Sequence, residues 1–268
     1  MNAAMASVPA PPPVTALVLA GTRPGRPDPL AQMAGVSHKA LLPIGGVPMV
    51  LRVIAALRAV PAISRIVVCV DSPHVLADRL PSDILLLPAR PGGPSASVLA
   101  GLARFGTPPL VTTADNSLPQ PKLVEEFLAS IPPESDMAAC VSTHAPLQLT
   151  VPNTLRPSLL LVTHTFFRCH QFLVRPSVSA RVADLWQRVE QNRKNPLRIA
   201  SALGPLILLR ALTGHLTRTA LYRRIAKLTG AQAELVALSD GRAAVDVDKP
   251  DDVVVAEQLA ASLPAVHA

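Results

Sequence analysis

Five short apolar runs punctuate the first half of the chain: TALVLAG (15–21), RIVVCVD (65–71), DILLLPA (83–89), PLVTTAD (109–115) and DMAACVST (136–143). Each is rich in Leu or β-branched residues and bounded by turn residues. Continuous rather than alternating apolar runs suit strands covered on both faces, as in a parallel sheet between layers of helices. Between them, PMVLRVIAALRAV, PSASVLAGLARF and PKLVEEFLAS carry apolar residues at helical spacing. The β-α-β-α order predicts an α/β fold: a three-layer, Rossmann-like, doubly wound and mostly parallel sheet. Ligands of such sheets sit beyond the C-terminal ends of the strands.

Residues 177 to 229 break the alternation. They read as two or three helices with no strand signal, punctuated by Pro196, the Gly204–Pro205 pair and Gly214. ELVALSD and AAVDVD then resume strand character, and PDDVVVAEQLAASL closes the chain as a helix. The expected organisation is a disordered lead-in over 1–13 and one domain over 14–268, with a helical insertion at about 177–229. At 268 residues such a domain can bury a sizeable core. With aromatics at 3%, Leu, Val, Ile and Ala must fill it.

A cytoplasmic location is expected. MNAAMASVPAPPP has neither the basic nor the apolar region of a signal peptide, and GPLILLRAL is too short to span a bilayer. The three cysteines show no CxxC or metal-ligand spacing, and Cys69 and Cys140 lie in strand-like runs. A net charge of +7 favours anionic partners: nucleotides, phosphorylated metabolites, nucleic acid or an anionic membrane surface. The charge is not interleaved with aromatics, which argues against nucleic acid.

Chemistry is expected at four loops that follow proposed strands. In LVLAGTRPGRP…SHKALLPIGG, a strand ends at Ala20-Gly21, and Arg23, Arg26 and Lys39 bring positive charge to a loop whose glycines let backbone N–H groups approach phosphate. The loop matches neither GxxxxGK[ST] nor GxGxxG, and an ordinary basic surface loop is the alternative. In PARPGGPSASVLAG, Gly92-Gly93 precede Pro94 and Ser95 at a helix start, which suits a base or a phosphate. A plain glycine turn with Ser95 as N-cap explains it equally well.

In PLVTTAD, Asp115 ends a buried strand beside these loops. A carboxylate there repels a nucleotide unless a cation lies between them. Mg²⁺ takes one or two protein carboxylates plus substrate phosphates; an Asx-turn cap is the alternative. In AAVDVDKPDDV, Asp246 and Asp248 alternate along one face of a strand, and Asp251 and Asp252 fall in the first turn of the last helix.

In that order, LVLAG…HKALLPIGGVPM, GGPSASVLAGL, VTTADNSLPQP and VDVDKPDDV resemble the MobA-like NTP transferases. This GT-A-type nucleotidyltransferase group includes molybdenum-cofactor guanylyl- and cytidylyltransferases and sugar-phosphate nucleotidyltransferases. The resemblance covers roughly residues 15–145 and 234–262. It implies a phosphate loop at Ala20, Gly21, Thr22 and Arg23, with Lys39 on the triphosphate. Gly93, Pro94 and Ser95 would face the base, Gly92 and Ala114 would also line the nucleotide, and Asp115 and Asp248 would hold Mg²⁺, with Asp246 in reserve. Lys39, Arg23 and Asp115 are then the expected catalytic residues. The chain departs from the family pattern at Thr22, where a second Gly is usual, and lacks the Arg-Met-Gly run. Its Gly21-to-Lys39 spacing is longer, and Cys169-His170-Gln171 stands where Gly-x-Asn is common.

The implied reaction is transfer of NMP from an NTP to a phosphorylated small molecule, with release of pyrophosphate. QRVEQNRKNPLRIA gathers Arg188, Arg193, Lys194 and Arg198 around Glu190, a cluster able to grip an anionic acceptor. Gln171, Arg193, Lys194 and Arg198 are the acceptor-side candidates, with a solvated helix face as the alternative. Trp186, at helical spacing from Val182 and Val189, is expected in the core. No GxSxG appears, which excludes the usual serine hydrolase elbow. Two rival readings remain. One is a nucleotide-binding module that has lost catalysis. The other sets the basic, apolar helices RIASALGPLILLRAL and RTALYRRIAKL on an anionic membrane, next to a lipid-linked acceptor.

Overall fold

The computed structural model describes residues 13–22, 28–106, 109–151, 158–160, 165–192, 198 and 202–264. Residues 1–12 of the expected lead-in, and Arg23, Arg26, Arg193 and Lys194, lie outside them.

The strands are β1 (Val14–Leu19), β2 (Pro43–Ile44), β3 (Val47–Pro48), β4 (Ile63–Val70), β5 (Leu85–Pro88), β6 (Pro109–Thr113), β7 (Met137–Thr143), β8 (Ser158–Leu160), β9 (Thr165–Val174) and β10 (Ala233–Leu238). The helices are α1 (Pro29–Met33), α2 (Met49–Arg58), α3 (Pro73–Ala77), α4 (Pro94–Phe105), α5 (Pro121–Ala129), α6 (His144–Thr150), α7 (Ser179–Asn192), α8 (Pro205–Leu212), α9 (Arg218–Thr229) and α10 (Pro250–Ala260).

The main sheet runs β10-β7-β9-β6-β1-β4-β5, with β8 paired to β9; β2 and β3 form a separate two-stranded sheet. The β1–β4, β1–β6, β4–β5 and β7–β10 pairs are parallel, while β9 runs antiparallel to β6, β7 and β8. This is the mostly parallel α/β architecture expected from the runs.

Both faces of the central strands are covered, as continuous apolar runs require. Ala16, Val18, Val68 and Leu110 join the larger core cluster, while Leu17, Val67, Cys69 and Val111 join a second one. Successive residues thus serve opposite layers. Full burial of each such Leu or Val stabilises the fold by about 1.5–3 kcal/mol. On the second face α4 comes so close that a Cβ on Gly101 would lie 3.0 Å from Leu17 Cδ2. Helix α4 also shows clear local start and stop signals. Pro94 stands in its first turn, and Gly106 ends it at φ 66°, donating its N–H to Leu102 O.

Strand β9 is the main departure from the expected order. Its sequence, TFFRCHQFLV, runs antiparallel through the middle of the sheet, between β6 and β7. The segment AAVDVD is not a strand: residues 241–244 form a 3₁₀ turn, and 245–248 are irregular. Helices α7, α8 and α9 fill the stretch between β9 and β10. Trp186 on α7 packs edge-on against Phe172 of β9, with ring centroids 4.7 Å apart. All three cysteines are buried. Among the described residues no helix is long and apolar enough to cross a membrane.

Candidate active site

Parallel β1, β4 and β6 end side by side, so the residues that follow them meet at one edge of the sheet. They are Ala20 to Thr22 after β1, Asp71 after β4, and Ala114 to Ser117 after β6. The first loop is tied to the second strand. Asp71 accepts from the Thr22 backbone N–H at 2.9 Å and from the Thr22 hydroxyl at 2.9 Å. Burial alone raises the Asp71 pKa, but these hydrogen bonds and nearby His38 outweigh it, and the net shift is downward. His38 is itself buried, with Nε2 3.5 Å from Asp71 Oδ2. The Thr that replaces the usual second glycine therefore has a definite partner. Asp71, which no motif singled out, is that partner.

Lys39 begins a short 3₁₀ turn, Lys39–Leu41, and its ammonium reaches two carboxylates at once. Nζ lies 2.9 Å from Asp115 Oδ2 and 2.7 Å from Asp248 Oδ1. The Lys39 side chain is only 17% exposed, that of Asp115 25% and that of Asp248 57%. Burial works to lower the Lys39 pKa, yet the two carboxylates outweigh it and leave it raised. For Asp248 burial pulls upward and is overcome by Lys39, with help from His170 and Arg168, so its pKa is lowered.

Five further hydrogen bonds place these carboxylates. Val247 N–H donates to Asp115 O at 3.1 Å, docking the 245–248 segment against the end of β6. Asp252, in the first turn of α10, accepts from the backbone N–H of Asp248 at 3.0 Å and of Lys249 at 2.8 Å, which orients Asp248. Arg52 of α2 is buried and donates to Ser117 O at 3.0 Å and to Ile44 O at 3.1 Å, pinning the loop beyond Asp115. Its helical run hid it from motif reading: among apolar neighbours it looks like a solvated position.

The site also holds buried polar atoms with no partner among the described residues: Asp115 Oδ1, both amide atoms of Asn116, Ser117 Oγ, Ser95 Oγ and Gln171 Oε1. Leaving such groups unpaired costs about 1–3 kcal/mol each. A polar ligand would relieve that cost.

Comparison with known proteins bears on this arrangement. A family model for the MobA-like NTP transferase domain matches residues 16–233. The chain belongs to that family.

Solved structures agree on the fold of this MobA-like NTP transferase. A protein described as a hypothetical transferase from Thermus thermophilus is 28% identical, with 90% of this chain and 99% of that one covered at a TM-score of 0.78. CMP:2-keto-3-deoxy-manno-octonic acid synthetase, solved in complex with CTP, is 14% identical; 93% of this chain and 99% of that one align, at TM-score 0.59. 4-Diphosphocytidyl-2C-methyl-D-erythritol synthase from Anaerococcus prevotii is 8% identical, covering 93% and 96%, at TM-score 0.55. No significant match to a curated protein was found.

Of the residues expected from the motifs, Lys39, Asp115 and Asp248 converge. Asp246 turns elsewhere: its Oδ2 lies 3.5 Å from His170 Nε2 on β9. Asp246 and Asp248 therefore do not share the strand face expected of them, because the segment carrying them is irregular. Gly92 and Gly93 adopt φ of 106° and 96°, a region open to glycine, and Gly93 rather than Ser95 caps α4. A Cβ on Gly93 would lie 2.8 Å from Glu190 Oε1, and one on Gly92 would lie 3.1 Å from Gln187 Nε2. Helix α7 thus faces the glycine turn, and Glu190 sits over it. Of the residues expected to bind an acceptor, Gln171 is buried on β9 opposite Thr112 of β6, and Arg198 is exposed.

Divalent-cation chemistry fits this donor set. Asp115 Oδ2 and Asp248 Oδ1 already converge on a positive charge, and Asp115 Oδ1 has an unused lone pair. Among the described residues no group of three His, Cys, Asp or Glu side chains could hold a metal. Two carboxylates match Mg²⁺, which keeps waters and substrate phosphates in its remaining positions.

Proposed function

We propose that this protein transfers NMP from an NTP to a phosphorylated small-molecule acceptor, in the presence of Mg²⁺. An acceptor phosphate oxygen attacks the α-phosphorus, the bond from that phosphorus to the β-phosphate bridging oxygen breaks, and pyrophosphate leaves. The observation that carries this reading is the Lys39 ammonium held between Asp115 and Asp248 at the strand ends. Those two carboxylates would hold Mg²⁺, which supplies Lewis-acid polarisation of the phosphates.

The chain's own residues account for the rest. An incoming triphosphate competes with the carboxylates for the Lys39 ammonium, which then neutralises charge building on the leaving group. Thr22, fastened to Asp71, keeps the first loop beside that charge. Gly92 and Gly93 carry no side chains, and a flat base would reach their backbone by displacing the Gln187 and Glu190 side chains that lie over them. Arg52 keeps Ser117 and its neighbours still without touching the substrate.

Thermal stability against ATP, CTP, GTP and UTP, each with and without Mg²⁺, tests the proposal in wild type and Asp115→Ala. One NTP should stabilise the wild type only with Mg²⁺, by about 2.7 kcal/mol at 100 times its Kd. The variant should lose that response. If no nucleotide shifts the wild type, the proposal fails. A shift without pyrophosphate release against any phosphorylated acceptor would instead indicate a binding module.

A further inference from the structure

The net charge of this protein is concentrated in one segment. Residues 191–233 contain eight of its 25 Lys and Arg and none of its 18 Asp and Glu. The remainder of the chain carries 17 of one and 18 of the other, which is close to neutral. Helices α8 and α9 lie in this segment. They are anchored to the sheet through Ile207 and Leu216, which pack with Val141 of β7 and Phe166 of β9.

The outward side of this pair is apolar as well as basic. Leu206, Leu209 and Leu212 are 57%, 58% and 73% exposed. At 100° per residue they share one half of α8 with Arg210. Between the two helices runs a groove of 580 Å³, lined by Leu206, Ile207 and Ala220 and by Arg210, Arg223 and Lys227. Two other cations are already engaged. Arg224 donates to Leu203 O at 2.6 Å, and Arg218 pairs with Glu234 at 2.5 Å. Arg210, Arg223 and Lys227 have no carboxylate partner among the described residues.

We propose that the α8–α9 face docks on an anionic phospholipid membrane. The three leucines enter the boundary between headgroups and acyl chains, while Arg210, Arg223 and Lys227 meet lipid phosphates. Nucleic acid would use the cations and gain nothing from exposed leucines. The single tyrosine nearby, Tyr222, offers no free stacking platform on the side where the Arg218 guanidinium lies over its ring, 5.7 Å from the centroid. An acidic protein surface would likewise leave the leucines in water unless it brought its own apolar patch.

Sedimentation of the full chain with phosphatidylcholine vesicles, with and without phosphatidylglycerol, tests the surface directly. Wild type should sediment only with phosphatidylglycerol present, and high salt should release it. Arg210→Glu/Arg223→Glu/Lys227→Glu should weaken binding on the order of 100-fold or more, the scale for losing three surface cations. Leu206→Ser/Leu209→Ser/Leu212→Ser should weaken it roughly tenfold or more. Thermal midpoints check that both variants remain folded, and the leucine variant changes only side chains that are more than half exposed. No sedimentation of wild type, or equal sedimentation with pure phosphatidylcholine, overturns the proposal. So does a leucine variant that binds like wild type, which would mark a surface reading charge alone.

Discussion

Replacing Lys39 by methionine keeps a long flexible side chain but removes the charge between Asp115 and Asp248. The cost follows from the two contacts. The arm to Asp115 is short and largely shielded from water, and a charge-assisted hydrogen bond of that kind contributes about 1.5–3 kcal/mol. The arm to Asp248 is shorter still, but that carboxylate is more than half exposed, so screening reduces it to about 0–1 kcal/mol. The variant should therefore lose about 2–4 kcal/mol in the absence of divalent cations. At 2–4 °C per kcal/mol in a chain of this size, its Tm should fall on the order of 5–15 °C. The variant also leaves two carboxylate oxygens facing one another, which is a vacant cation site. Calorimetry in EDTA and then in MgCl₂, without nucleotide, should show Mg²⁺ recovering much of the loss in Lys39→Met while leaving wild type nearly unmoved, because its ammonium already fills the position. An unchanged Tm in EDTA would refute the ion-pair argument. Equal Mg²⁺ responses in both proteins would refute the shared site.

Three other outcomes are expected. The lowered pKa values of Asp71 and Asp248 mean their stabilisation is present above about pH 3.9 and lost as pH falls through the folded values, whereas the raised value of Lys39 makes its share present below about 10.4 and lost as pH climbs through the folded value. Urea midpoints should accordingly drop at both extremes, and a midpoint that rises between pH 4 and pH 2 would contradict the carboxylate assignment. Arg52→Met should leave Ser117 O and Ile44 O without their donor and cost about 1–3 kcal/mol by urea unfolding, with a weaker nucleotide-induced thermal shift; wild-type behaviour in both would remove its positioning role. Gly241→Ala would put a Cβ 2.5 Å from both Leu147 Cα and Pro146 O, and the backbone of α6 must then move, so a loss of about 1–3 kcal/mol or more in urea unfolding is expected.

Much of this site was legible locally, and the misses have a common origin. Asp115 was visible because an apolar run that ends in a carboxylate marks a strand delivering charge to its C-terminal edge. Lys39 and the Gly92-Gly93 turn stood out through residue type and position in the same way. Asp71 also ends an apolar run, RIVVCVD, but its role depends on Thr22, 49 residues away. Arg52 was hidden by a helical pattern in which a charged residue is normally solvated, and only its packing against Ser117 and Ile44 reveals a burial. Strand β9 escaped because its apolar residues are interrupted by Arg168, His170 and Gln171. These fit a central strand only once β6 and β7 flank it.

Hydrophobic period and turn chemistry act over a few residues, so the sequence alone set most of the parallel strands and their covering helices, but neither central β9 nor the irregular 245–248 segment. It also determined that net positive charge gathers between residues 191 and 233. Which charges meet is a different matter. Lys39 pairs with carboxylates 76 and 209 residues away, and no local propensity encodes such a contact. It exists because β1, β4 and β6 lie in parallel register, and because the Val247 and Asp252 hydrogen bonds bring the last loop to the same edge. Packing decided that, since the low-dielectric edge of a buried sheet is where opposite charges attract most strongly and where a misplaced one costs most.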